Sequence, residues 1–317
     1  MLTRCRIVVG LGCALAILLL MPGSAAPWGW ATHTYLVTQL GVTAPDAMYG
    51  ALLPDVGQVM DPTVNDYMHD QTTLKFSKAV AKGFQMDLDE TVWGVATHNE
   101  RWGADSTAHN PLTGYTTLKS PVLVSTTGLQ TTLRDLLLAN GIPTAQAEAI
   151  AAEFAPVVAH EAIEYAVDLQ VRDHQALNSG ILIYNAADTR ADEVPELLVR
   201  TYATNFAARF KLSIPEASAL LVAGEAAWQA FMMQYGSLLA PEVPTDYISW
   251  YLAQLGSVRL SNYIEGLTGV ALVVDPMILL GVLQQAFTLT APDYLQALEE
   301  TTRLLQWNMS RRIREIE

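Results

Sequence analysis

Apolar residues recur at helical spacing in long segments of the chain, and glycine or proline separates these segments. The segments are rich in Ala, Leu, Glu and Gln, whereas the apolar–polar alternation typical of strands is scarce. Glycine commonly follows the last turn of a helix, and proline is favoured in the first turn. The pattern therefore predicts helices at 32–40, 128–139, 143–174, 194–210, 215–235, 244–255, 276–287 and 292–316.

Several segments interrupt this pattern. Residues 53–70 are rich in Asp, Pro and Gly, residues 110–127 are rich in Thr, Ser, Gly and Pro, and both are predicted to be loops. We also expect a break at the Asn-Ser-Gly of 178–180. The apolar run 270–283 contains Asp275 followed by proline, a typical helix start, so a buried helical hairpin is favoured over a membrane span. The predicted fold is all-α, a multi-helix bundle.

The beginning of the chain has the layout of a secretory signal peptide. Arg4 and Arg6 give a basic start, residues 7–21 are apolar, and residues 22–26 are Pro-Gly-Ser-Ala-Ala. The alternative is an uncleaved membrane anchor, but an apolar run of 15 residues is short for a span of ~20. We therefore expect cleavage after the first 26 residues and a secreted or periplasmic protein.

Composition narrows the class of protein. The 317 residues are 51% hydrophobic and 16% charged, and the mean hydropathy is +0.22, which excludes a mostly disordered chain. Acidic residues outnumber basic residues 32 to 18, and the net charge of −14 disfavours nucleic acid as a partner because phosphate attraction needs Lys and Arg. Both cysteines, Cys5 and Cys13, belong to the leader, so the exported chain would have no disulfide.

The six histidines are confined to the first 174 residues. Five lie in the segments Trp28-Gly-Trp-Ala-Thr-His33, Met-His69-Asp, Val-Ala-Thr-His98, Asp105-Ser-Thr-Ala-His109 and His160-Glu-Ala-Ile-Glu164. His174 stands apart and is expected to be an ordinary surface residue. An isolated histidine is more often a core or surface residue than a ligand. Several His–carboxylate groupings without thiolate nevertheless favour a metal site, and they suit zinc in a hydrolytic site.

His160 and Glu164 share one face of a helix, because they are one turn apart. Both could then reach one metal ion, and Asp168, one turn further, could hold a ligating ring by its second nitrogen. The alternative is an ordinary surface His–Glu pair. The metalloprotease motif H-E-x-x-H is excluded, because Glu164 stands where that motif needs a second histidine.

His98, Asp105 and His109 form a second grouping. Asp105 and His109 fit one helical face, and His98 precedes Asp105 by seven residues, which is two turns if the helix is continuous. A continuous helix would therefore present all three side chains to the same side.

Taken in order, these motifs resemble the bacterial zinc-dependent phospholipase C family, which shares its all-helical fold with secreted single-strand-specific zinc nucleases. The shared order is a Trp-Gly with a His close behind, an Asp after a Pro, a His, a His and Asp pair, another His and a closing His-x-x-x-Glu. Every part is present between Trp28 and Glu164, which is about half of the exported chain. The resemblance implies a multi-helix bundle with a metal cluster in a cleft.

The same resemblance implies up to three zinc ions and a ligand set for each. The first ion would be bound by Asp55, His69, His98 and Asp105, and the second by His109, His160 and Glu164. The third would be bound by His33 and by the amino group and carbonyl of Trp28. Asp105 would bridge the first and third ions. Asp55 would also be the catalytic general base. The family usually places three residues between the central His and Asp, whereas six lie between His98 and Asp105. Either one extra turn fits, or the first site is altered.

The function implied by the resemblance is that of a secreted zinc-dependent phosphodiesterase, a phospholipase C hydrolysing glycerophospholipids at a membrane surface through a zinc-activated water. The alternatives are a single-strand-specific zinc nuclease and a non-catalytic zinc-stabilised helical scaffold. No protein partner is predicted. The expected organisation is a signal peptide at 1–26, a zinc-binding helical domain at 27–177, and a C-terminal helical region at 178–317 that is separate or part of the same domain.

Overall fold

The computed structural model describes residues 28–60, 64, 67, 86, 88–99 and 101–316, with side chains up to residue 311. These residues form an all-helical fold, as predicted, and contain no strand. The helices are α1 (Trp30–Gln39), α2 (Pro45–Leu52), a 3-10 helix (Leu53–Val59), α3 (Asp89–His98), α4 (Asp105–Ala108), α5 (Tyr115–Thr127), α6 (Leu129–Ala139), α7 (Thr144–His174), α8 (Ser179–Asp188), α9 (Val194–Phe210), α10 (Ile214–Leu238), α11 (Thr245–Thr268), α12 (Pro276–Thr290) and α13 (Tyr294–Ile316). The predicted signal peptide, with both cysteines, lies outside the described residues.

The predicted helix starts and ends are confirmed where local chemistry sets them. Ser213 begins α10 with a capping box, because its hydroxyl accepts from the Glu216 backbone while the Glu216 carboxylate accepts from the Ser213 backbone. Asp275 begins α12 in the same manner by accepting from the Met277 backbone N–H at 2.9 Å. The apolar run 270–283 is therefore an irregular connection followed by a helix from Pro276. No described helix is long and apolar enough to cross a membrane.

The prediction of a loop over 110–127 is wrong for most of its length, because Tyr115–Thr127 is helix α5. The hydroxyls of Ser120, Thr126 and Thr127 donate to carbonyls one turn earlier, as Ser120 does to Thr116 at 2.8 Å, so they do not compete with the helix. Leu123 is fully buried in a cluster shared with α7. Tertiary packing therefore overrides the weak helix propensity of this segment. The predicted loop over 53–70 begins instead with the 3-10 helix.

The expected break after α7 is present, because α7 ends at His174 and α8 begins at Ser179, so that Gly180 belongs to α8. A Cβ on Gly180 would lie 2.5 Å from the Gly236 carbonyl oxygen, so this glycine lets α8 pack closely against α10. The predicted end at residue 255 is wrong. Helix α11 continues past residue 255 through Gly256 to Thr268, because Gly256 faces Leu279 of α12.

The short helices α2 and α3 were not predicted, and they touch backbone to backbone. A Cβ on Gly50 would overlap the Thr91 carbonyl, and one on Gly94 would overlap the Ala47 carbonyl. Only glycine allows this approach, which places the end of α3, and therefore His98, beside the end of α2.

Three apolar clusters make up the core, and the central helix α7 contributes to each. Leu169 belongs to the first cluster, Ile163 to the second and Val167 to the third. The first cluster combines residues from both predicted regions, such as Leu52 and Trp228. The division at residue 178 stays a prediction.

Candidate metal centre

The Asp168 carboxylate caps the N-terminus of α1. It accepts from the backbone N–H groups of Ala31 at 2.9 Å and Thr32 at 2.8 Å, from the Thr32 hydroxyl at 2.7 Å and from the Tyr235 hydroxyl at 2.8 Å. The first N–H groups of a helix have no partner within it, and the helix dipole favours an anion there. The expectation that Asp168 holds a ligating ring is therefore wrong. Burial raises the pKa of Asp168 to about 6, and these donors limit the rise.

Gly29 is required at the start of α1 because Asp168 lies against it. A Cβ on Gly29 would overlap the Asp168 carboxylate. The His33 backbone N–H donates to the Gly29 carbonyl at 3.0 Å, so the capped turn leads directly to His33, which is 1% exposed. The sequence did not suggest this role for Gly29, although the Trp-Gly-Trp segment was singled out as part of the family resemblance.

His33, His98 and Asp105 form the first ligand group, and all three are buried. Asp105 Oδ1 lies 3.4 Å from His33 Nε2, and Asp105 Oδ2 lies 2.8 Å from His98 Nε2. The two imidazole rings are stacked with centroids 4.1 Å apart. One nitrogen or oxygen from each residue lies within 4.8 Å of the others, so the group could hold a metal ion.

Hydrogen bonds to the far side orient the His98 ring and the nearby Asp55. His98 Nδ1 lies 2.7 Å from the Ala51 carbonyl oxygen, which can only accept, so Nδ1 donates and Nε2 is the nitrogen that faces Asp105. Asp55 Oδ2 accepts from the Trp30 indole at 3.1 Å, while Oδ1 lies 3.8 Å from His98 Nε2. The orienting roles of Trp30 and Ala51 were missed, because they depend on contacts between separate helices.

The spacing between His98 and Asp105 is accommodated by a tight turn, and the continuous helix considered from the sequence does not form. Helix α3 ends at His98 and α4 begins at Asp105. The Gly103 backbone N–H donates to the Asn99 carbonyl at 2.7 Å, and Asn99 Oδ1 accepts from the Arg101 backbone at 2.8 Å. The chain thereby folds back on itself and returns Asp105 to His98.

The second ligand group consists of His109, His160 and Glu164, which could hold a metal ion; the resemblance implied the same three residues as one set. His160 Nε2 lies 2.6 Å from Glu164 Oε1 and 2.9 Å from His109 Nε2. Although Asp105 and His109 are one turn apart, with the His109 N–H donating to the Asp105 carbonyl at 2.9 Å, they belong to different groups. Burial raises the pKa of Glu164 well above its usual range, against the opposing effect of His109.

The two groups belong to one site with a buried end and an open end. The negative charge of Asp55, beside the first group, also raises the pKa of Glu164 in the second. The His33, His98 and Asp105 side chains are 0–1% exposed, whereas those of His109 and His160 are each 17% exposed. Solvent therefore reaches the site from the side of the second group.

All ligand assignments stay predictions, and three of the expected ligands are in neither group: His69, Trp28 and Asp55, which lies beside the first group. His69 lies outside the described residues. Trp28 is buried, and its indole donates to the Ala104 carbonyl at 3.1 Å and to the Thr107 hydroxyl at 3.0 Å, so the indole serves to anchor α4. Its expected role concerned the amino group and carbonyl, which these contacts do not involve. His174 is exposed at the end of α7, as expected.

No protein-family model, curated protein or solved structure matches this chain. The chemistry of the site therefore follows from its own geometry. Imidazole nitrogens and carboxylate oxygens converge in two adjacent groups, and each group could hold a metal ion.

Proposed function

We propose that the protein is a zinc-dependent phosphodiesterase. The observation that carries the proposal is the Asp105 carboxylate, whose two oxygens face two different histidines, with a second His–Glu group close by. Imidazole and carboxylate ligands without thiolate suit hydrolytic zinc, and adjacent metal ions suit the displacement of a phosphodiester. The resemblance to zinc-dependent phospholipases C gives the same assignment independently of these distances.

The donor set fits zinc at both groups. Asp105 would bridge two ions, with His33 on one side and His98 on the other, and His109, His160 and Glu164 would hold a further ion. When bound, zinc lowers the pKa of a coordinated water to ~7 and neutralises charge on phosphoryl oxygens. The Ala51 carbonyl fixes the tautomer of His98, so the ring presents Nε2 as a ligand without rearrangement.

Asp55 is the residue that we assign as general base. Its Oδ2 is engaged by the Trp30 indole at 3.1 Å, so Oδ1, which lies 3.8 Å from His98 Nε2, is the atom that takes a proton from the attacking water. Asp55 is fully buried, so bulk water does not compete for this oxygen. The same residue is proposed as a metal ligand, and both roles require the orientation that Trp30 imposes.

We propose phospholipids as the substrate, cleaved between glycerol and phosphate to release diacylglycerol. A net charge of −14 opposes the approach of a polyanion such as nucleic acid, whereas a single phosphodiester in a lipid carries little charge. The proposal includes export of the protein to the periplasm or the medium, where such lipids are accessible from the outer side of a membrane.

Metal analysis and two activity assays test the proposal. Purified protein should contain near-stoichiometric zinc and release diacylglycerol from phosphatidylcholine, and Asp55→Asn should abolish release. Asp135→Asn, at an exposed carboxylate of α6, is the matched control and should keep full activity. Cleavage of single-stranded DNA or RNA without lipid hydrolysis would identify the protein as a nuclease and not a phospholipase. Zinc binding with neither activity would make the protein a metal-stabilised scaffold, and absence of zinc would overturn all three.

A further inference from the structure

We propose that one uncharged apolar surface, made of Pro111, Leu112, Leu118, Pro121 and Val122, docks the protein on the surface of a phospholipid bilayer. We call it the docking face, and its assignment rests on the proposed function. Leu112 is 82% exposed, Leu118 54% and Val122 44%, and both prolines are exposed. Residues 118, 121 and 122 lie on one side of α5, since they are three and four positions apart. Leu112 is at the tip of the preceding loop.

The loop that carries Leu112 is held rigidly. Asn110 Oδ1 accepts from the backbone N–H groups of Leu112 at 2.9 Å and Thr113 at 3.1 Å, and the Gly114 N–H donates to the Asn110 carbonyl at 2.7 Å. A Cβ on Gly114 would overlap the Ala108 carbonyl, so the loop is packed tightly on α4. The leucine is therefore presented to solvent in an ordered turn, which reduces the entropy lost when it is buried by a partner.

The charge of this segment suits a phosphate-bearing surface. Residues 106–134 contain no Asp or Glu, although the chain as a whole has 32 acidic residues and a net charge of −14. Lys119 and Arg134 are the cations of the segment, and Lys119 is paired with Asp293 at 2.9 Å. A lipid headgroup layer therefore meets no acidic residue from this segment, and the apolar side chains can enter the boundary between headgroups and acyl chains.

A second copy of the chain is a poorer occupant for the same face. A stable dimer buries about 800 Å² on each partner, about 20 residues or more, and the docking face has five. Two copies with a charge of −14 each also repel one another. A bilayer needs no matching shape, so a few apolar side chains are sufficient for reversible attachment.

The docking face adjoins the open end of the metal centre. His109, whose side chain is 17% exposed, immediately precedes Asn110 of the loop. Attachment through the docking face would therefore hold the open side of the centre near the lipid layer.

Sedimentation with phosphatidylcholine vesicles tests the docking face. The full-length exported protein should bind, and the double variant Leu112→Glu/Leu118→Glu should bind at least about tenfold more weakly, because each carboxylate would have to leave water. The matched control is Val273→Glu/Ile214→Glu, which changes residues that are 77% and 53% exposed elsewhere, and it should bind as the unaltered protein does. Binding should persist in high salt, because apolar contacts carry it.

Hydrolysis separates this inference from the proposed function. The docking variant should lose activity on vesicles while it hydrolyses a soluble nitrophenyl phosphodiester at the unaltered rate, which also shows that it is folded. Equal vesicle binding by the docking variant and the unaltered protein would overturn the inference, as would a dimer that the variant converts to a monomer. If the unaltered protein hydrolyses neither diester, the proposed function fails, while a loss of vesicle binding in the docking variant still supports the docking face.

Discussion

The Asp105 carboxylate lies 2.8 Å from the His98 imidazole although the two residues belong to different helices with a six-residue turn between them. The turn brings the two side chains together, as one helical turn does when histidine and aspartate are four positions apart. Hydrogen bonds of the backbone, of the Asn99 side chain and of the Trp28 indole hold the turn. The unusual spacing is therefore compatible with an intact first ligand group.

Removal of the Asp105 carboxylate should empty part of the metal centre. We expect Asp105→Ala to lose at least one metal ion per chain, because both oxygens face histidine nitrogens. Elemental analysis after gel filtration measures the content, and Asp135→Ala is the control at an exposed carboxylate. An unchanged metal content in Asp105→Ala would refute its role as a ligand.

Loss of the Trp30 indole N–H should weaken the centre without unfolding the protein. Trp30→Phe keeps a ring that can pack against Trp228 and Phe231, but Asp55 Oδ2 loses its donor. We expect a ~10–100-fold loss of metal affinity or activity. Competition with a chelator measures the affinity. Trp307→Phe, at a 62% exposed position, should change neither quantity, and equal affinities in the two variants would contradict the prediction.

A methyl group on Gly29 should disrupt the start of α1. Gly29→Ala places a Cβ where the Asp168 carboxylate lies, so the capped turn and His33 must move. We expect a loss of ~1–3 kcal/mol in the free energy of unfolding, measured in urea, together with reduced metal content. Gly281→Ala is the opposite control: nothing lies within 4 Å of its Cβ position, so alanine should stabilise α12 by up to ~1 kcal/mol. Equal free energies of unfolding for the two variants would contradict this prediction.

Asp168 should make stability depend on pH in the acidic range. Its pKa is about 6 in the folded protein, raised by burial, against ~3.9 in an unfolded chain. The folded state therefore holds the proton more tightly, and the contribution of Asp168 is full below pH ~4 and declines as the pH rises through 6, by at most ~3 kcal/mol. Asp168→Asn does not titrate. Urea unfolding of both proteins in a chelator, between pH 4 and 7, should show the unaltered protein losing stability relative to the variant as the pH rises. A difference that does not vary with pH would exclude this linkage.

The main helices could be predicted because helical periodicity, capping residues and flanking glycine or proline act within a few positions of the chain. Ser213 and Asp275 start α10 and α12 through their own neighbours. Helices α2, α3 and α5 escaped prediction because contacts between distant segments sustain them. At Gly50 and Gly94 the decisive feature is the backbone of another helix, which no local pattern records.

In the candidate site, the sequence alone determined the pairing of His160 with Glu164, because helical geometry puts residues four apart on one face. It also supplied His98 and Asp105 as members of a metal group through the order of the motifs. Only the tertiary structure decided how their spacing is closed, and that Asp168 caps α1 instead of holding a ring. The physical reason is the separation of the interacting residues along the chain. A helix fixes the geometry of residues a few positions apart. The cap on α1, the bond from the Trp30 indole to Asp55 and the tautomer of His98 each depend on contacts between separate elements.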